Sequence, residues 1–236
     1  MLPASRARIL RSLPEDASVL DVGGWASPLA RADWVIDLMP YETRGLYGEP
    51  DPEPERFSED TWLVRDICDR APWPFGDEEF DFVVCSHTLE DVRDPIWVCE
   101  EMSRVARAGY IEVPARCEEQ TRGVHGPWVG WSHHHWLIDV ENQSLEFVFK
   151  PHLLQARPEF WVPLAWTEAL PPEERVSILF WTGSIPSRER MFYEPDELHA
   201  WLASVGNRYG APVGVAEPRD GQARRRGKLR AALRRT

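Results

Sequence analysis

Four histidines stand where they could move a proton. His87 follows the apolar run "FDFVVCS" (80–86), and His133, His134 and His135 sit together in "GVHGPWVGWSHHHW" (123–136). Imidazole titrates near neutral pH, so each can act as a general base toward a hydroxyl or a protonated amine. The triplet has three readings. Imidazoles suit zinc, iron and similar ions. Consecutive residues seldom all ligate one ion, and in an extended chain His133 and His135 point opposite to His134, so no metal is assigned. Alternatively, the run lines an acceptor pocket with its tryptophans, and His134 or His135 supplies the base. The third reading is a solvent-facing start of a strand. His87 likewise reads either as a base or as a structural cap.

Carboxylates and glycines form the second group. "VLDVGG" (19–24) runs an apolar segment, interrupted by Asp21, into Gly23 and Gly24. A glycine turn between strand and helix lets backbone N–H groups approach a ligand closely. Trp25 stands where such loops commonly carry another glycine. It either walls the site or packs beneath the turn. Asp37 lies 14 residues after Gly23, near the end of "DWVIDL" (33–38). In doubly wound folds an acid there hydrogen-bonds ribose hydroxyls. The spacing is shorter than the roughly 20 residues of dinucleotide-binding folds, and a turn-capping Asp would look the same. In "RDICD" (65–69), Asp66 and Ile67 could read an adenine edge and pack on its ring, or be a cap and a core residue.

The elements that must position these residues alternate. A short helix is expected at 5–13, and strands at 18–23, 33–38, 61–67, 80–86 and 110–114. Only nine residues separate the first two strands, so their connecting helix must be very short. Residues 39–60 hold four prolines and two glycines and read as a long loop or flap. Asp94-Pro95 starts a helix that runs to about Ala108 and ends at Gly109. "WLIDV" and "LEFVFK" read as a hairpin, 175–185 as a strand and 194–206 as a capped helix. The expected class is α/β: a Rossmann-like, doubly wound, mostly parallel sheet with a C-terminal antiparallel portion and a substrate-covering insert at 115–136. His87 then falls at the C-terminal end of a strand, where open α/β sheets bind ligands.

From Pro72 to Pro95 the chain reads "PWPFGDEEFDFVVCSHTLEDVRDP". Together with "VLDVGG" before it and "EEMSRVARAGYIEVP" after it, this stretch resembles class I (Rossmann-like) S-adenosylmethionine-dependent methyltransferases of the type 11 kind. The resemblance covers roughly residues 17–114. It implies S-adenosyl-L-methionine as cofactor. It matches Asp21, Gly23, Gly24 and Trp25 to the loop at the methionine end, Asp37 with Leu38 to the ribose contact, Asp66 and Ile67 to the adenine contact, and Ser86 and His87 to residues beside the sulfonium. Two departures stand out. The family's G-x-G-x-G is Gly23-Gly24-Trp25-Ala26-Ser27 here, and its LEH is Leu89-Glu90-Asp91. The function implied is methyl transfer to an O or N atom of a small molecule. A non-catalytic scaffold of the same fold and a nicotinamide-dependent oxidoreductase are the rivals, and the missing G-x-G-x-x-G counts against the latter.

Bulk properties bound these readings. Hydrophobic residues make up 43% and charged residues 28%, ordinary for a globular protein. No run approaches the ~20 apolar residues of a membrane span, and the first residues lack a signal-peptide core. With four scattered cysteines, these point to a reducing, cytoplasmic setting. The last 20 residues hold eight Arg or Lys against two Asp or Glu. Of the net −12, the rest of the chain therefore carries −18. An acidic body makes nucleic acid an unlikely main partner. The expected layout is one domain over 1–212 and a basic, flexible tail over 213–236.

Overall fold

The structure, a computed structural model, describes residues 1–46 and 53–214. Helix α1 (Pro3–Ser12) leads into β1 (Val19–Val22), β2 (Trp34–Asp37), β3 (Trp62–Val64) and β4 (Phe82–Ser86). Next come α2 (Pro95–Val105), β5 (Ala108–Pro114), α3 (Arg116–Glu119), β6 (Trp136–Glu141) and β7 (Ser144–Phe149). Helices α4 (Leu153–Ala156) and α5 (Leu164–Glu168) precede β8 (Val176–Thr182), β9 (Ser187–Glu189) and α6 (Pro195–Tyr209).

Six strands form one sheet in the order β3-β2-β1-β4-β5-β8. The first five are parallel, and β8 pairs antiparallel with β5 from Ala108↔Thr182 to Pro114↔Val176. β6, β7 and β9 form a smaller sheet. The hairpin between β6 and β7 turns on Asn142 and Gln143, with φ of 50° and 61°. Positive φ at both central residues matches the right-handed twist of the flanking strands.

Successive side chains of the central strands serve opposite faces. On one face Leu20, Val22, Val83, Cys85 and Ile111 pack with Val98, Cys99, Met102 and Val105 of α2. Asp94 caps α2 by accepting from the Trp97 N–H at 3.1 Å. On the other face Val19, Val35, Val84 and Tyr110 pack with Ile9 of α1, Phe57 and Trp62. Tyr41 meets Trp62 edge-on at 5.7 Å.

Three sequence expectations need correction. No helix joins β1 to β2: residues 24–33 are turns. They are stitched by side chains instead, with Val19 N–H donating to Asp33 at 2.9 Å and the Arg31 guanidinium donating to the Ala17 carbonyl at 2.7 Å. Helix α2 ends at Val105, and Gly109 lies inside β5. There a Cβ would come 2.6 Å from the Val83 carbonyl, so the glycine serves close strand pairing rather than a helix stop. Helix α6 passes through Gly206 and stops at Gly210. The flap at 39–60 contributes short 3₁₀ turns at Tyr41–Thr43 and Glu59–Thr61. Residues 47–52 of that flap and 215–236 of the basic tail lie outside the described residues. Among the described residues no helix is long and apolar enough to cross a membrane.

Candidate active site

A cavity of about 960 Å³ opens over the C-terminal ends of β1, β2, β4 and β5. Asp21, Gly23, Gly24, Trp25, Asp37, Ser86, His87 and His134 all line it. Parallel strands aim their last residues at this edge, which is why residues distant in sequence converge here.

The glycine turn is tightly enclosed. Gly23 has φ of 74°, and a Cβ there would sit 2.2 Å from the Thr88 hydroxyl. At Gly24 a Cβ would sit 2.6 Å from an Asp21 oxygen. Asp21 is buried and accepts from Leu29 N–H at 2.8 Å. Its burial, helped by nearby Asp37 and only partly offset by the Leu29 bond, pushes its carboxyl up to about 7. Asp37 accepts from the backbone N–H of Trp25 at 3.0 Å and of Met39 at 2.8 Å. Burial raises its carboxyl too, outweighing those bonds. The Trp25 indole N–H donates to the Thr43 carbonyl at 2.7 Å, pinning the start of the flap beside the turn. Trp25 is thus a wall of the cavity and a clasp for the flap.

His87 directly follows β4 with φ of 54°, a conformation uncommon outside glycine. Its Nε2 lies 3.1 Å from Glu112 and its Nδ1 3.3 Å from Glu90. Desolvation alone would push the imidazole down. The two carboxylates outweigh it and raise it to about 9. Glu112 is buried, which would raise its carboxyl, yet His87, the Tyr110 hydroxyl and the Leu2 N–H hold it down at about 2. The two carboxylates thus favour the charged imidazolium at neutral pH, a form that donates hydrogen bonds. Glu90 is 1% exposed, and neither of its oxygens completes a hydrogen bond among the described residues. Burial raises its carboxyl, only partly offset by His87.

The histidine run is not extended. Ser132 and His133 form a turn, and β6 begins only at Trp136. His133 and His134 consequently sit on the same side, with ring centroids 4.6 Å apart, against the alternation expected of a strand. His134 Nδ1 lies 2.6 Å from Glu119, which also accepts from Lys150 at 2.8 Å. Trp131 stacks on the His134 ring at 5.8 Å. Burial would lower that imidazole, but Glu119 outweighs it and raises it.

Four expected site residues fall outside the cavity lining: Leu38, Asp66, Ile67 and His135. Leu38 is exposed, and Ile67 is packed in the core with Trp73 and Phe75. Asp66 is exposed and accepts locally from Cys68 N–H at 2.8 Å. His135 is exposed, while its backbone joins Glu90 and Lys150. Glu90, Asp91, Glu112 and Glu119 were missed. Glu112 had a signal: an acid inside the apolar strand "YIEVP" needs a partner. Glu119 had none, because only the fold brings it to His134.

A sequence family described as a methyltransferase domain matches residues 50–111. That segment is methyltransferase-like. The resemblance of the chain to Rossmann-like S-adenosylmethionine-dependent methyltransferases thus has independent support across β3, β4, α2 and the start of β5. No curated protein matches the chain. Among solved structures, a methyltransferase from Aquifex aeolicus is 20% identical over 52% of this chain and 69% of its own, with a TM-score of 0.37. One from Mesorhizobium loti is 19% identical over 64% of each chain, with a TM-score of 0.37. A methyltransferase–activator complex from Haloferax volcanii gives 21% identity and a TM-score of 0.35, over 47% of this chain and 51% of that one. This chain thus spans about half the length of that relative.

Proposed function

We propose that the chain is an S-adenosyl-L-methionine-dependent methyltransferase acting on an O or N atom of a small molecule, such as a natural-product or sugar intermediate. The observation that carries this reading is the convergence of Gly23, Gly24, Asp21 and Asp37 on one cavity at the C-terminal edge of the sheet. The residues fit such a cofactor. Side chains at either glycine would collide with the turn's own neighbours. Both Asp37 oxygens already accept a backbone N–H, and each keeps a lone pair for a ribose hydroxyl. Of the carboxylates in the lining, Asp37 and Asp91 are placed to meet the ammonium and sulfonium charges of such a ligand, because Asp21 and Glu90 are held toward their neutral forms while Glu112 pairs with His87 and Glu118 with Arg175. At about 960 Å³ the cavity is near the top of the ~300–1,000 Å³ range of ligand sites, leaving room for an acceptor beside the cofactor.

When bound, the cofactor supplies an activated methyl group, and orientation can provide much of the acceleration. The chain's part is to hold both partners and manage charge. Imidazolium His87, fixed by Glu112, is a hydrogen-bond donor at the end of β4. His134 donates Nδ1–H to Glu119, so Nε2 is the ring atom left for other partners. His135, Asp66 and Ile67 lie outside the cavity lining and are given no role in this reading. Isothermal titration with S-adenosylhomocysteine should show micromolar binding that Asp37→Ala weakens at least about tenfold. Absence of binding, or indifference to that change, would overturn the reading.

A further inference from the structure

The geometry points to a divalent metal site made by Asp91, His133 and His134 in the wall of the cavity. One ligand atom from each of these residues lies within 4.8 Å of the other two. Asp91 Oδ1 is 3.7 Å from His134 Nε2 and 3.9 Å from His133 Nε2. Around a tetrahedral ion with bonds of ~2.1 Å, neighbouring ligand atoms sit about 3.4 Å apart. The two Asp91 separations need to close by only a few tenths of an ångström, and the two imidazole nitrogens, which lie within 4.8 Å of each other, by at most about 1.4 Å.

Several independent features support a ligand role. Asp91 Oδ1 is buried and has no hydrogen-bond partner among the described residues. A buried carboxylate oxygen without a partner is costly and calls for a cation or a donor. His134 is held as metal-bound histidines usually are, with its other ring nitrogen on a carboxylate. Glu119 is that carboxylate, itself anchored by Lys150. This pairing directs the Nδ1 proton to Glu119 and leaves Nε2 as the atom that gives up its proton to an ion. Trp131 stacks on one ring, and His133 meets that ring edge-on, so the site is built before any ion arrives. The turn at Ser132–His133 is what allows two consecutive histidines to converge.

Two imidazoles and one carboxylate favour a divalent ion of the first transition row over magnesium or calcium. Three protein ligands leave a further position open, as catalytic sites do. All three ligands line the cavity, so that position faces the space assigned to the acceptor. There the ion would hold an acceptor oxygen and make its hydroxyl more acidic. This role rests on the methyl-transfer reading, whereas the binding of the ion does not.

The test uses untagged, full-length protein stripped with chelator and titrated with Zn²⁺ by calorimetry and with Co²⁺ by visible absorption. We expect one equivalent of either ion. His133→Ala and Asp91→Asn, both at partly exposed positions, should each weaken binding at least about tenfold with the far-ultraviolet spectrum unchanged. Glu119→Gln should cost about 10–100-fold. His135→Ala, one residue away but outside the cavity, should bind like the parent. The site is refuted if no saturable binding occurs, if His133→Ala and Asp91→Asn bind like the parent, or if His135→Ala loses as much as they do. An S-adenosylhomocysteine titration of the same samples reports separately on the cofactor.

Discussion

Asp21 is a carboxylate that the fold would rather keep neutral, and Asp21→Asn should expose this as a pH-dependent gain in stability. In the unfolded chain its carboxyl titrates near 3.8, and in the fold at about 7. Between those values the native state holds a proton that the unfolded state has released. Stability is therefore fully present below pH 4 and is lost as pH rises toward 7. A shift of about three units corresponds to about 4 kcal/mol, an upper bound reached above pH 8. Asparagine keeps an oxygen for Leu29 N–H and carries no charge, so it avoids this loss. Its amide N–H₂ is imperfectly satisfied, which reduces the gain to about 1–3 kcal/mol above pH 8. Urea denaturation of both proteins at pH 5 and pH 8.5 measures this directly. In thermal melts each kcal/mol should appear as ~2–4 °C for a chain of this size. The variant should gain markedly more at pH 8.5 than at pH 5. A difference that is the same at both pH values, or a variant less stable at pH 8.5, would refute the reasoning.

Two other perturbations probe the same site. The His87 ring should titrate near 9 by NMR, and Glu112→Gln, which removes the nearer of its two carboxylate partners, should move that titration down by a unit or more; an unmoved titration would show that Glu112 does not hold the charge. Gly24→Ala should cost roughly 1–3 kcal/mol in denaturation and weaken S-adenosylhomocysteine binding, because the new methyl would meet the pinned Asp21 carboxylate at 2.6 Å, and parental stability with parental binding would show that the turn has slack.

The fold was largely legible because its signals are local. The apolar runs of β1, β2 and β4 and the Asp94-Pro95 cap announce a parallel sheet and a covering helix. The errors arose where tertiary contacts overrode local pattern. Asp33 and Arg31 replace the helix expected between β1 and β2 with side-chain bonds to backbone. Asp66 and Ile67 occupied the expected positions in sequence, yet the local bend turned one to Cys68 N–H and the other into the core. In the histidine run the residue types were informative but the assumed strand was not. A two-residue turn reversed which rings face each other. Glu119 lies 15 residues before His134, and nothing in either stretch announces that they meet.

The turn-built link between β1 and β2 also bears on how the chain finds its fold. Pairing Leu20 with Trp34 closes a loop of 14 residues, whereas pairing Val19 with Phe82 closes one of 63. The logarithmic cost of closure makes the longer loop about 1.3 kcal/mol more expensive in chain entropy. The β1–β2 pair is thus the cheapest parallel contact of the central sheet to form. It brings Asp21, Gly23, Gly24 and Asp37 together before the distant strands arrive. On this account the proposed cofactor-binding edge is a nucleus of the sheet, and the histidine-bearing wall is added afterwards by contacts of longer range.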